Sequence, residues 1–251
     1  MTLPTRPGRA MVNRTTPRRA GQVSGAGRPT TRPGRESAAA RALRAARIAD
    51  RLADTFREAR CSLDFESPFQ LVIATILSAQ CTDKRVNLVT PELFRRWPGP
   101  EALAAAKQRE VEDVIRSTGF FRAKAKSIVG CARAIAERHG GEVPQTIDEL
   151  VKLPGVGRKT ANVVLGSAFG IISGVVVDTH VGRISRRFGL TKAADAVRAE
   201  RDLVRVLPRE HWIAFSHRVI ELGRGVCSAR RPRCESCPLS DLCPRVGVKI
   251  L

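Results

Sequence analysis

Beyond residue 35, apolar residues recur three and four positions apart. They almost never alternate with the period of two that marks a half-buried strand. That pattern confines the chain to an all-α fold. The first helix is expected over Glu36–Arg60, with an apolar stripe of Ala45, Ile48, Leu52, Phe56 and Ala59. Pro68 then opens a nearly wholly apolar helix, Phe69–Ala79, suited to the middle of a core. Pro91 is expected to start a short helix ending near Trp97, with Pro98-Gly99-Pro100 as a firm stop. Glu110–Ser117 and Lys124–His139 follow, the latter stopped by Gly140-Gly141. Thr146-Ile147-Asp148-Glu149 is a capping-box start for a short helix, and another helix runs from near Gly157 to Phe169. Thr179–Phe188, Ala193–Leu207 and His211–Gly223 complete the series. Val175–Val177 is the one strand-like run, too short to make a sheet.

The chain has 251 residues, enough for one or two domains, with 44 Lys plus Arg against 24 Asp plus Glu. A net charge of +20 calls for a polyanionic partner, nucleic acid first and an anionic membrane surface second. The longest apolar stretch, Phe69–Leu77, is interrupted by Gln70 and far too short to span a membrane. Residues 1–35 hold eight Arg, five Gly, five Pro and no acid, and read as a disordered basic tail. An Arg-rich, acid-poor tail also suits an organelle transit peptide, but Gly and Pro oppose the helix such a peptide needs. No apolar signal region precedes the body, so the sequon at Asn13 is read as chance and a reducing compartment is expected. Without the tail the body still carries 36 basic and 24 acidic residues, a balance of +12.

Three features carry chemistry. In Leu153-Pro154-Gly155-Val156-Gly157-Arg158-Lys159-Thr160 two glycines permit a tight turn, and the next helix points its free N–H groups outward. This can be an ordinary helix–helix turn or a phosphate site blind to base sequence; the basic body and the Arg158-Lys159 pair favour phosphate. Lys159 is one of only eight lysines, and unlike Arg an amine can lose its proton and act as a nucleophile. On the residues alone Lys159 remains a phosphate contact or a nucleophile, and Asp178 a helix cap or a catalytic carboxylate.

The third feature is Cys227-x6-Cys234-x2-Cys237-x5-Cys243. Four thiolates in one compact loop make a metal site, of zinc or of an iron–sulfur cluster. Arg230, Arg231 and Arg233 lie between the first two cysteines and suit a phosphate clamp.

Together these segments resemble the endonuclease III family of the helix-hairpin-helix superfamily over roughly residues 36–245. The resemblance rests on Leu77-Ser78-Ala79-Gln80, Gly141-Glu142-Val143-Pro144, the hairpin through Val163, Val177-Asp178-Thr179-His180 and the cysteine loop. It implies a bifunctional DNA glycosylase and abasic-site lyase of base-excision repair, acting on oxidised pyrimidines in duplex DNA. It also implies two helical lobes with the active-site cleft between them. One is a helical barrel, residues 61–172; the other joins 36–60 to 173–251 and holds a [4Fe–4S] cluster. By the same resemblance Lys159 is the nucleophile and Asp178 the catalytic carboxylate. Cys227, Cys234, Cys237 and Cys243 are the cluster ligands. Gln80 fills the gap left by an extruded nucleotide, Phe120 is the wedge beside it, and Gly155, Gly157, Arg158, Arg230 and Arg231 contact DNA.

Phe121 stands where the family often has Tyr, Gly182 replaces a bulkier residue, and Cys81 after Gln80 is expected to be buried and inert. A monofunctional adenine glycosylase of the same superfamily is the nearest rival, opposed by Lys159 and by the short stretch after Cys243. A non-enzymatic DNA-binding module with structural zinc is the rival from another class. A monomer working on nucleoid DNA in a bacterial cytoplasm is expected.

Overall fold

The computed structural model describes residues 36–249. The basic tail and its sequon lie outside the described residues.

Ser37 accepts from the Ala40 N–H and starts α1, Ala38–Thr55, which buries Ala45, Ile48, Ala49 and Leu52. The helix stops a turn and a half short of the expected Arg60. Phe56 caps it with φ −122° and ψ 60°. Beyond it Phe56 and Ala59 are only half-buried and Arg57, Glu58 and Arg60 are exposed, so little apolar burial rewards another turn.

Ser67 and Pro68 open α2, Pro68–Leu77, in which Leu71, Val72, Ile73, Ala74 and Leu77 are fully enclosed. The next helix corrects the reading of Pro91: α3 spans Asp83–Arg96 and contains it. The start belongs to Thr82, whose Oγ1 accepts from the Arg85 N–H at 3.3 Å. An internal proline costs about 3 kcal/mol. Burial of Val86 and Leu93 on the same helix, at about 1.5–3 kcal/mol each, offsets it. The Pro-Gly-Pro stop also proves to be a start, because Pro100 opens an unforeseen one-turn helix, α4 (Pro100–Ala104), that buries Leu103.

The chain continues through α5 (Gln108–Ile115), a 3₁₀ turn at Arg116–Thr118, and α6 (Phe121–His139), closed by Gly140 at φ 59°. Thr146 caps α7 (Ile147–Leu150) and is followed by α8 (Arg158–Phe169) and α9 (Thr179–Arg187). Last come α10 (Ala196–Val206), a second 3₁₀ turn at Arg209–His211, and α11 (Trp212–Gly225). The described residues contain no strand; Val175–Val177 is an irregular connection with Val175 and Val177 buried.

The helices enclose two apolar cores. Side chains of α2 to α8 build the first, including Leu71, Ile73, Leu103, Ile128 and Leu165. Side chains of α1, α9, α10 and α11 build the second, with Leu239 and Leu242 from the cysteine loop. Arg44 of α1 reaches the Phe188 carbonyl at 2.6 Å and Arg51 the Pro238 carbonyl at 2.9 Å, tying the first helix to the end of α9 and to the cysteine loop. Polar bonds also cross between the cores: Arg224 of α11 donates to Ser62 Oγ at 3.1 Å and to Asp83 at 3.2 Å. No helix among the described residues is long and apolar enough to cross a membrane.

Candidate active site

The turn between α7 and α8 is held from below and bare above. Leu153 and Val156 are buried, whereas Gly155, Gly157, Arg158 and Lys159 are exposed. The tight turn needs only one of its two glycines. Gly155 has φ +78°, and a Cβ there would lie 2.9 Å from Ser127 Cβ. Gly157 is the α8 N-cap at φ −97°, a value any residue adopts, and open space lies around it. No side chain caps α8, so its first-turn N–H groups stay free to meet an anion.

Lys159, one residue into α8, lines a cavity of about 390 Å³ together with Val177, Asp178, Gly182, Arg183 and Arg186. Asp178 is at once cap and cavity wall. Its Oδ1 accepts from the Val181 N–H at 2.7 Å, which leaves Oδ2 for the cavity. The lysine belongs to a helix of the first core and the aspartate caps a helix of the second, so the cavity opens at the seam between them. Arg183 donates to the Cys227 carbonyl at 3.0 Å; burial and the neighbouring Arg187 pull its guanidinium down from its ordinary pKa. A larger cavity, about 730 Å³ around Arg60, Cys61 and Phe94, has Cys61 as its thiol. Burial raises that thiol's pKa, which makes it a poor nucleophile.

Gln80 and Phe120 share an unusual backbone. Both are exposed and left-handed, at φ 52° and 48°, a conformation costing a side-chain-bearing residue about 1–2 kcal/mol. Phe120 is 69% exposed. Beneath its turn the buried Lys124 donates to the Thr118 carbonyl at 2.8 Å, and desolvation pushes this ammonium's pKa down. Phe121 is half-buried, with the Arg116 and Arg122 guanidinium carbons 5.2 and 5.5 Å from its ring centre. Cys81 is half-buried rather than buried: the turn that exposes Gln80 also carries it toward the surface.

All four cysteines of the C-terminal loop line one small cavity with Phe188, Leu222 and Val226. None is in a disulfide. Among the described residues no three ligand-type side chains draw together around a single ion. Four thiols around one cavity can serve a polynuclear cluster, in which each metal takes one thiolate. Arg187 binds the loop, donating to Cys227 Sγ at 3.1 Å and to the Ser228 and Ala229 carbonyls at 2.7 Å each. Arg187 thus adds a directed hydrogen bond to one of four sulfurs that line a single cavity, a donor set that fits an iron–sulfur group. Arg230, Arg231 and Arg233 are all exposed, and Arg233 donates to the Gly225 carbonyl. Cys131 is a plain core thiol, pushed up to about 12 by burial.

Sequence reasoning passes over Asn162, buried within α8, Glu200 of α10, buried against it, and the buried Lys124. No local signal marks them; Glu200 looks like any acid on a polar helix.

Residues 73–209 match the model of the HhH-GPD superfamily base excision DNA repair proteins, and residues 227–243 that of the iron-sulfur binding domain of endonuclease III. Endonuclease III of Synechocystis sp. is 59% identical over 186 residues, 74% of this chain and 85% of that protein. That of Bacillus subtilis is 49% identical over 201 residues, 80% of this chain and 91% of that protein. Among solved structures, a non-covalent endonuclease III–DNA complex superposes with a TM-score of 0.74 at 44% identity, covering 79% of this chain and 93% of that one. An endonuclease III trapped as a covalent intermediate with DNA gives 0.73 at 45% identity, covering 78% and 92%.

Proposed function

The chain belongs to the endonuclease III family of base-excision repair proteins, and on that premise we propose that Lys159 is its nucleophile and Asp178 its catalytic carboxylate. The protein is a DNA glycosylase and abasic-site lyase that carries a [4Fe–4S] cluster. The single observation behind the residue roles is that Lys159 and Asp178, on different cores, wall the same cavity.

The chemistry follows from those groups. A base stacked in duplex DNA is out of reach, so the damaged nucleotide must be extruded. Gln80 and Phe120 are the exposed side chains placed to fill the gap. The neutral amine of Lys159 attacks the sugar C1′; the N-glycosidic bond breaks and the base leaves with its electron pair. Asp178 stabilises positive charge on the sugar and takes up the amine proton. The C1′–O4′ ring bond then breaks, O4′ taking the proton held by Asp178, and leaves a protonated Schiff base; this acidifies the C2′ proton, whose loss drives β-elimination of the 3′ phosphate and breaks the strand. Oxidised pyrimidines and abasic sites are the substrates we assign.

DNA is held through phosphates by the bare α8 N-terminus with Gly155, Gly157 and the outer face of Arg158, and on the other side by Arg230 and Arg231. Cys227, Cys234, Cys237 and Cys243 are the cluster ligands, and the cluster braces the loop that presents the two arginines. We divide the body into a barrel lobe, 61–172, and a cluster lobe, 36–60 with 173–251, acting as a monomer on bacterial nucleoid DNA. The adenine-glycosylase and zinc-module readings leave Lys159 on the cavity wall without a chemical role.

Borohydride reduction in the presence of abasic-site DNA tests the reading. Wild type forms a covalent adduct and Lys159→Ala forms none while still binding the duplex. Equal trapping by Lys159→Ala removes Lys159 from the reaction.

A further inference from the structure

We propose that Glu200 is a positioning residue for Lys159, holding the first turn of α8 against the cavity through Arg158 and Asn162. The proposal rests on the reading of Lys159 as nucleophile. Glu200 lies on α10 and its side chain is 9% exposed. Its Oε2 accepts from Arg158 Nε at 3.2 Å, and its Oε1 from Arg158 Nη2 at 3.4 Å and Asn162 Nδ2 at 2.9 Å. Asn162 Oδ1 in turn accepts from Ser173 Oγ at 2.9 Å. Arg158 directly precedes Lys159 and Asn162 comes one turn later, so the carboxylate holds α8 on both sides of the nucleophile. Gly174 leaves room for this arrangement: a Cβ there would collide with Glu200 Oε1 and lie 2.9 Å from Asn162 Nδ2.

The network spans the seam at which the cavity opens. Ala161, Val164 and Leu165 of α8 belong to the first core, and Ala199 and Leu203 of α10 to the second. Ala194, Asp195 and Ala196, where α10 begins, line the cavity with Lys159 and Asp178. Apolar packing is non-directional, so it does less than a directed bond to fix how α8 is set against α10. Charge-assisted hydrogen bonds have fixed directions. A buried carboxylate with its partners removed is strongly unfavourable, which keeps the network closed. Glu200 therefore sets where the Lys159 amine stands relative to Asp178. It also turns one face of Arg158 inward, leaving only the outer face for DNA.

The test is single-turnover borohydride trapping on a saturating abasic-site duplex, with duplex affinity measured separately. Wild type, Glu200→Ala, Glu200→Gln and Lys159→Ala are compared. A misplacement near 1 Å costs about 100-fold, so Glu200→Ala is expected to trap about 10- to 100-fold more slowly, with affinity within about threefold of wild type. Glu200→Gln keeps an acceptor for Asn162 and recovers part of the rate. Wild-type trapping by Glu200→Ala, or a slowdown matched by an equal loss of affinity, overturns the proposal. If Glu200→Ala does not fold, Glu200→Gln decides: slower trapping at intact affinity supports it and an unchanged rate overturns it. If Lys159→Ala is dead while both Glu200 variants trap normally, only the Glu200 proposal falls. If Lys159→Ala traps as wild type, the nucleophile reading itself falls.

Discussion

Lys159 and Asp178 wall one cavity, yet Lys159 rides on a helix packed into the first core and Asp178 caps a helix packed into the second. A reaction that needs both depends on how the two cores meet. The bonds across the seam, Arg158–Glu200 beside the cavity and Arg224–Asp83 away from it, are accordingly part of the machinery.

Asp178→Asn separates the two duties of that residue. Asn caps a helix about as well as Asp, so melting should change little. The carboxylate charge is lost, and base excision should fall by about 10²–10⁴-fold, the usual contribution of a positioned acid–base group. Single-turnover release of a damaged base from duplex DNA, set beside a thermal melt, checks this. Unchanged excision would leave Asp178 as a cap alone.

Gly155→Ala should weaken both the fold and DNA binding. At φ +78° a side chain costs about 1–2 kcal/mol, and the new Cβ meets Ser127 Cβ at 2.9 Å. Denaturant unfolding should show at least that loss. Gly157→Ala, in open space at φ −97°, should unfold like wild type and lose affinity only for DNA.

Stability should fall with acid through His217. Burial lowers the pKa of this half-buried imidazole from 6.5, so the folded protein keeps it neutral where the unfolded chain already protonates it. Its contribution is complete above pH 6.5 and is lost as pH drops toward the lowered folded value. The slope is at most about 1.4 kcal/mol per pH unit. Melting at pH 7.5 and 5.5, about one unit either side of the free-imidazole value, should converge in His217→Gln if the assignment holds.

Iron and sulfide analysis of purified protein, with its visible absorbance, tests the cysteine loop. Coloured protein with iron and sulfide is expected, and Cys237→Ala should lose both along with duplex affinity. Colourless protein with stoichiometric zinc would contradict the cluster.

Deleting residues 1–35 removes eight Arg and should flatten the salt dependence of nonspecific DNA binding. Each phosphate that the shortened protein no longer neutralises lowers the log–log slope by about 0.9. Turnover at a saturated site should persist. A collapse of the single-turnover rate would make the tail more than a tether.

The helical class, the hairpin, the Asp178 cap and the four-thiol loop are all legible in the sequence, because each is local. Periodicity three and four apart, a glycine pair before a helix, and an acid at a helix start act within about one turn of chain. Local signals mislead where burial overrides them. Pro91 sits inside α3 because Val86 and Leu93 are enclosed around it, and α1 stops at Thr55 because the next turn buries little apolar surface. Family resemblance singles out Gln80 and Phe120, but residue type gives no hint of their left-handed backbones.

Glu200, Asn162 and Gly174 leave no trace along the chain, since what gives them meaning is a contact across 38 residues between Asn162 and Glu200. Residue types and their spacing put Lys159 and Asp178 at the starts of α8 and α9 and gather four thiols in one loop. Whether Lys159 and Asp178 share a cavity depends on two separately packed cores meeting in one register. Directional bonds between residues far apart in the chain hold that register, and no run of neighbouring residues encodes it.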